Sequence, residues 1–121
     1  MNTTTYTVYR ADGRIEVGAI DWPESPPLRD IRALVEPIVG GPLEHVRVLD
    51  PARAEADEVS RDDYRDMFVD ELGHVRTVGK ARNHAATAIY RGNWLRAEGG
   101  DPEDLPWIAG DAVVFDRIVW R

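Results

Sequence analysis

The sequence predicts an α+β domain: a mixed, mainly antiparallel sheet of five or six strands with two main helices, near residues 28–39 and 83–97. Three observations carry this. Asp12-Gly13 stands between two alternating runs, the strongest short-range signal of a β-hairpin. Leu28, Ile31, Leu34, Val35, Ile38 and Val39 recur at helical spacing. Val113-Val114-Phe115 is apolar on both faces, as a strand in the middle of a sheet is.

Taken in order, Tyr6 to Ala11 and Arg14 to Ile20 form the first hairpin, with both turn residues at positive φ. Tyr6 and Val8 share one face of the first strand; Ile15, Val17 and Ala19 share one face of its partner. Ser25 caps the first helix, with Pro26-Pro27 where no backbone N–H is missed. Pro37 kinks or interrupts that helix, and Gly40-Gly41 ends it. Leu43 to Leu49 is a strand. Residues 50–66 form a polar, acidic excursion with few large apolar side chains, weakly packed over 51–63. Met67 to Val69 and His74 to Val78 make a second hairpin, with Gly73 left-handed in a three-residue turn. Asn83 caps a helix that runs to about Ala97. Ala81, Ala85, Ala88, Ile89, Gly92 and Leu95 are its close-packing face, with Ala85, Ala88 and Ile89 buried near Val113 and Phe115. Gly99-Gly100 ends it, residues 101–106 are a loop, and Ala112 to Val119 is the last strand.

The 121 residues read as one domain with no internal repeat or linker. Hydrophobic residues make up 43% and charged residues 31%, a folded composition rather than a disordered one. No window approaches the roughly 18 apolar residues of a membrane span, and the N-terminus lacks the pattern of a signal peptide. Cysteine is absent, which removes disulfides, thiolate metal sites and a Cys nucleophile. The cytoplasm is the expected compartment. Net charge is −7, concentrated in residues 50–71, which carry nine acidic and three basic side chains. An acidic chain is not expected to bind nucleic-acid phosphates directly or to sit on an anionic membrane.

Leu34-Val35 with Val39-Gly40-Gly41, Asp70-Glu71-x-Gly73, Asn83-x-Ala85-Ala86-Thr87 and Ile108-x-Gly110-Asp111-Ala112-Val113-Val114 give the chain a family resemblance. Over about residues 28–116 it resembles domain of unknown function 3846, a family of small proteins of bacteria, phages and plasmids. The resemblance implies a small sheet with two helices and a home on mobile or accessory genes. It implies no activity and no catalytic residues.

No catalytic motif stands out. His45, His74 and His84 lie in different elements without close-spaced partners, so no metal site is expected. The pairs Asp57-Glu58, Asp62-Asp63 and Asp70-Glu71 fall in polar segments or turns, where solvation keeps carboxylates ordinary. Thr77 to His84 leads into a helix start, where free N–H groups attract anions. Lys80, Arg82, Asn83 and His84 are the candidate anion-binding residues, with Lys80 and Arg82 exposed. Trp94, Trp107, Trp120 and Tyr90 are either core or an aromatic binding wall.

The chain therefore reads as a small accessory binding protein, non-enzymatic and without a cofactor, acting through a protein-partner or small-anion surface. Two other classes stay open: an acidic mimic of DNA that occupies a DNA-binding enzyme, and an enzyme whose site carries no recognisable motif. Binding requires a pocket or an apolar patch. Mimicry requires an ordered row of acidic side chains. An enzyme requires a cleft with a strongly perturbed titratable group.

Overall fold

The computed structural model describes residues 2–53, 56–73, 80–98 and 107–120. β1 (Asn2–Tyr9) and β2 (Ile15–Trp22) form the expected first hairpin, paired from Asn2↔Trp22 to Tyr9↔Ile15. Its turn differs from the expected one. Gly13 has φ +95°, whereas Asp12 is not at positive φ. The Gly13 N–H donates to the Arg10 carbonyl at 3.0 Å, and the Arg10 N–H to the Arg14 carbonyl at 2.9 Å. A three-residue loop closed in this way needs one left-handed residue only, and glycine supplies it.

α1 (Leu28–Val39) has the expected bounds. Ser25 does not cap it. Pro27 occupies the cap position in extended backbone, and no side chain caps the first turn. The Pro27 carbonyl instead accepts the N–H groups of Asp30 and Ile31. Pro37 does not interrupt the helix. Pro37 and Ala33 are both exposed, so the carbonyl left without a residue-37 N–H lies on the wet side. Gly40 ends the helix at φ +80° and donates to the Glu36 carbonyl at 2.8 Å.

β3 (Leu43–Leu49), β4 (Tyr64–Asp70) and β5 (Ala112–Phe115) complete a five-stranded sheet of order β2-β1-β5-β4-β3, antiparallel at every described pair. β5 is central, as its apolar run predicts, but it stops at Phe115 rather than Val119. The acidic excursion is shorter than expected. It contains two short 3-10 turns, Pro51–Arg53 and Arg61–Asp63, and β4 already begins at Tyr64. The second hairpin is not formed by β4: Met67 and Phe68 pair with β3 on one edge and β5 on the other. His74 to Val78 lies outside the described residues, as do residues 101–106. Gly73 is not left-handed; a Cβ there would stand 3.1 Å from the Ala109 carbonyl oxygen, so close approach explains it.

Each face of the sheet carries one helix. On the first, Ile31, Val35 and Val39 of α1 pack on Val8, Trp22, Phe68, Val113 and Phe115. Gly18 belongs to this face because the Tyr6 ring lies across it; an added Cβ would meet ring atoms at 2.2–2.6 Å. On the second face, α2 (His84–Glu98) sets Ala86 against a cluster with Val48, Met67, Val69, Ala112 and Val114. The helix is rotated from its expected orientation. Ala86 and Thr87 are buried, whereas Ala81, Ala85 and Ala88 are exposed and Ile89 is half-buried. Its neighbours are Ala112 and Val114, not Val113 and Phe115. The Leu95 side chain lies outside the described residues. Asn83 sets the rotation. Its Oδ1 accepts the Ala86 N–H at 3.0 Å, so it caps the helix as expected. Its Nδ2 donates to the carbonyls of Tyr9 at 2.7 Å and Gly110 at 2.8 Å. With Asn83 turned inward, positions three, four and seven residues on follow it to the sheet.

Asp66, counted with the acidic excursion by sequence, is fully buried. Oδ1 accepts from His45 Nε2 at 2.6 Å and Arg47 Nε at 3.3 Å; Oδ2 accepts the N–H groups of Val119 and Trp120, both at 2.8 Å. Burial alone would raise its pKa. The His45 hydrogen bond and the Trp120 and Val119 N–H groups outweigh that and hold the carboxyl below its ordinary range.

Two outcomes follow from this packing. Ala86→Leu should overpack the α2–sheet contact and cost about 1–3 kcal/mol, while Ala88→Leu should be near neutral, both read by urea unfolding. Because its native pKa is depressed, Asp66 contributes its full stabilisation above its unfolded pKa of about 4 and loses it as pH falls through the lower native value. Asp66→Asn should therefore cost about 3–5 kcal/mol at pH 7 and flatten the acid limb of stability against pH.

Candidate functional site

Of the four candidate anion residues, Lys80 and Asn83 are committed to partners within the fold. Lys80 turns inward: its Nζ pairs with the buried Asp70 carboxylate at 2.8 Å and donates to the Val39 carbonyl at the end of α1. Its stem passes over Gly110, where a Cβ would stand 2.6 Å from Lys80 Cδ. Lys80 is thus not the exposed cation expected, and Asp70 is not a solvated turn carboxylate. Arg82 is half-buried, bridges to Ala109 and lies 5.8 Å over the Trp107 ring. Asn83 is occupied by the three hydrogen bonds described above. His84 is exposed.

The aromatic residues also divide. Trp120 packs on the first face against Phe68 and His45, at ring distances of 6.2 and 4.9 Å. Tyr90 and Trp107 lie on the second face, where they border a cavity of about 230 Å³ with Val46, Val69 and Ile108. They do not form one wall with Trp120, and the Trp94 side chain lies outside the described residues. Glu44 and Asp70 also line this cavity, and Asp70 is already engaged by Lys80.

A different surface stands out. Among the described residues, α2 packs on the β3 side of its face of the sheet and leaves the β2 side chains of that face exposed. Register places Tyr9 beside Ile15, Thr7 beside Val17 and Thr5 beside Ala19 on that face. Val17 is 76% exposed and Ile15 62% exposed. Ala19 and Thr5 are exposed as well. A small cavity of about 70 Å³ between the hairpin and the α2 start is lined by Ile15, Tyr9 and Ala85, so the turn end of this row adjoins the helix start. The sequence does pair Ile15, Val17 and Ala19 on one face, but alternation alone does not reveal that no described element covers it.

No family model, no curated protein and no solved structure matches the chain. The resemblance to domain of unknown function 3846 therefore stands on the short motifs alone. Among the described residues, no group of three His, Asp or Glu side chains could hold a metal ion, and no helix is long and apolar enough to cross a membrane.

Removing the Lys80 ammonium should strand the Asp70 carboxylate in the interior. Lys80→Ala is expected to destabilise the domain by about 3–5 kcal/mol in urea unfolding, whereas the exposed His84→Ala should stay within about 0.5 kcal/mol of wild type.

Proposed function

We propose that this chain is a binding protein without chemistry of its own, and that it receives a protein partner on the exposed β2 side of its sheet. One observation carries the reading: Val17 and Ile15, two β-branched apolar side chains on one face, are 76% and 62% exposed. A patch of this kind on a folded domain marks an interaction surface. The family resemblance supports an accessory role, and the lack of cysteine supports a cytoplasmic one.

The other readings draw less support. For a DNA mimic, the acidic segment is too engaged internally. Asp50 pairs with Arg65 at 2.8 Å, Asp63 with Arg53 at 3.3 Å and Asp70 with Lys80 at 2.8 Å, and Asp66 is buried. A small-anion site at the α2 start has few cations to use among the described residues: Lys80 pairs with Asp70, Arg10 with Glu16 and Asp111, and Arg14 with Asp12, and Arg82 lies half-buried over the Trp107 ring.

The test is a comparison of three chains as bait: wild type, Val17→Asp, and Leu72→Ser as a control at a remote exposed position. A partner recovered with wild type and then purified should bind the Leu72→Ser chain equally and lose at least tenfold in affinity for Val17→Asp. Equal binding to all three would sink the proposal.

A further inference from the structure

Resting on that reading, the exposed side also specifies how a partner would attach. β2 is one end of the sheet, and the hydrogen bonds of the first turn fix which of its backbone groups face outward. The Arg10 N–H donates to the Arg14 carbonyl, so Arg14 points toward β1. In an antiparallel pair this direction alternates, so Glu16, Gly18 and Ile20 also point toward β1. Ile15, Val17, Ala19 and Asp21 therefore turn their N–H and C=O groups to the open edge. The far side of β1 agrees: the Thr5 carbonyl accepts from Asp116 of the β5 side, and the Tyr9 carbonyl from Asn83. The residues with outward backbone groups are the same ones whose side chains form the exposed apolar row.

Edge strands are ordinarily blunted by lysine, proline, a bulge or a covering element. β3, the other edge, follows Pro42, carries Glu44, His45 and Arg47, and has α2 packed on it. β2 is less protected: Pro23 follows it, but it has no bulge, and no described helix covers its Ile15–Val17–Ala19 face. It runs eight residues in unbroken register with no Pro and no Lys, and its only charges are Glu16 and Asp21. Residues 10–24 hold four carboxylates and two arginines, a net charge of −2, with Asp12 paired to Arg14 and Glu16 to Arg10.

We propose that β2 takes up an extended, basic segment of a partner protein as a sixth strand. Strand addition supplies main-chain hydrogen bonds to the outward groups of Ile15, Val17 and Ala19. Alternate apolar side chains of the segment continue the Ile15–Val17–Ala19 row, and Lys or Arg on its other positions lies beside the Arg10–Glu16 pair, where the net charge of −2 over residues 10–24 favours it. A second copy of this chain is the disfavoured occupant. It would set a second edge of net charge −2 against the first, in a chain of net charge −7.

The test uses amide exchange of the full chain with three blocked heptapeptides: basic Lys-Val-Arg-Ile-Lys-Val-Arg, its acidic counterpart with Glu and Asp, and a neutral one with Ser and Thr. At saturation the basic peptide should slow exchange at Ile15, Val17 and Ala19 at least tenfold and leave Glu16 and Gly18 unchanged. Its affinity should fall as salt rises, and the acidic peptide should give no protection. Ala19→Pro removes one outward N–H without touching the β1 ladder, and should weaken the basic peptide about tenfold. The alternating pattern on the wild-type chain decides the matter even if that variant does not fold. Equal protection by the acidic peptide, protection without alternation, or none at all overturns the proposal. So does protection of the same amides by the chain alone, with sedimentation as a dimer. If the purified partner loses affinity for Val17→Asp yet protects no outward amide, the sheet face binds without strand addition: the inference falls and the binding function stands. If Val17→Asp has no effect either, both fall.

Discussion

Asn83 is the constraint on which the layout of this domain depends. Its side chain is 1% exposed and has its donors and its acceptor used: Nδ2 reaches the carbonyls of Tyr9 and Gly110, and Oδ1 holds the Ala86 N–H. Its own N–H donates to the Ile108 carbonyl at 2.8 Å, and its carbonyl accepts the Thr87 N–H at 2.9 Å. One buried residue thus joins the end of β1, the approach to β5 and the first turn of α2. A buried amide with any of these bonds missing would carry a desolvation cost with no compensation. This fixes both the position and the rotation of α2, and the exposed β2 side of the sheet is the remainder.

The two faces of the sheet solve burial differently. α1 brings a broad aliphatic stripe, and the sheet answers with Phe68, Phe115 and Trp22 in mutual ring contact. The same face takes in Asp66, held by His45, Arg47 and two backbone N–H groups, and Asp70, held by Lys80 and the Leu72 N–H. Part of what looks like surface acidity is therefore interior bonding that ties β3 and β4 to Val119, Trp120 and the residue-80 corner. Among its described side chains, α2 brings the small Ala86 and Thr87 with the half-buried Ile89 and Tyr90 to the second face, over part of a five-stranded sheet.

α1, β3 and the first hairpin were legible because their signals are local: a six-residue apolar stripe, an alternating run, and Asp12-Gly13. The rotation of α2 was not. The expected series at 81, 85, 88, 89, 92 and 95 is small residues with Ile89 and Leu95, and the series at 83, 86, 87 and 90 is small or polar residues with Tyr90; each offers an apolar stripe, so periodicity does not choose between them. A hydrogen bond to Tyr9, 74 residues away, does. Asp66 was hidden among Asp62 and Asp63, although it stands two positions before Phe68 and so shares its face. The exposed patch was half legible: the sequence pairs Ile15 with Val17, but only the placement of α2 leaves them open.

Lys80 is the only lysine in the chain, and its side chain is 23% exposed. Its ammonium is held by Asp70 and the end of α1, beneath the path of the chain through Gly110. Amine-directed reagents, and any enzyme that acylates lysine, meet a side chain already committed to an internal ion pair. Reaction at this one position would therefore time the opening of the corner where α1, β4 and α2 meet. The protein carries, in a single side chain, a chemical reporter of its own local unfolding.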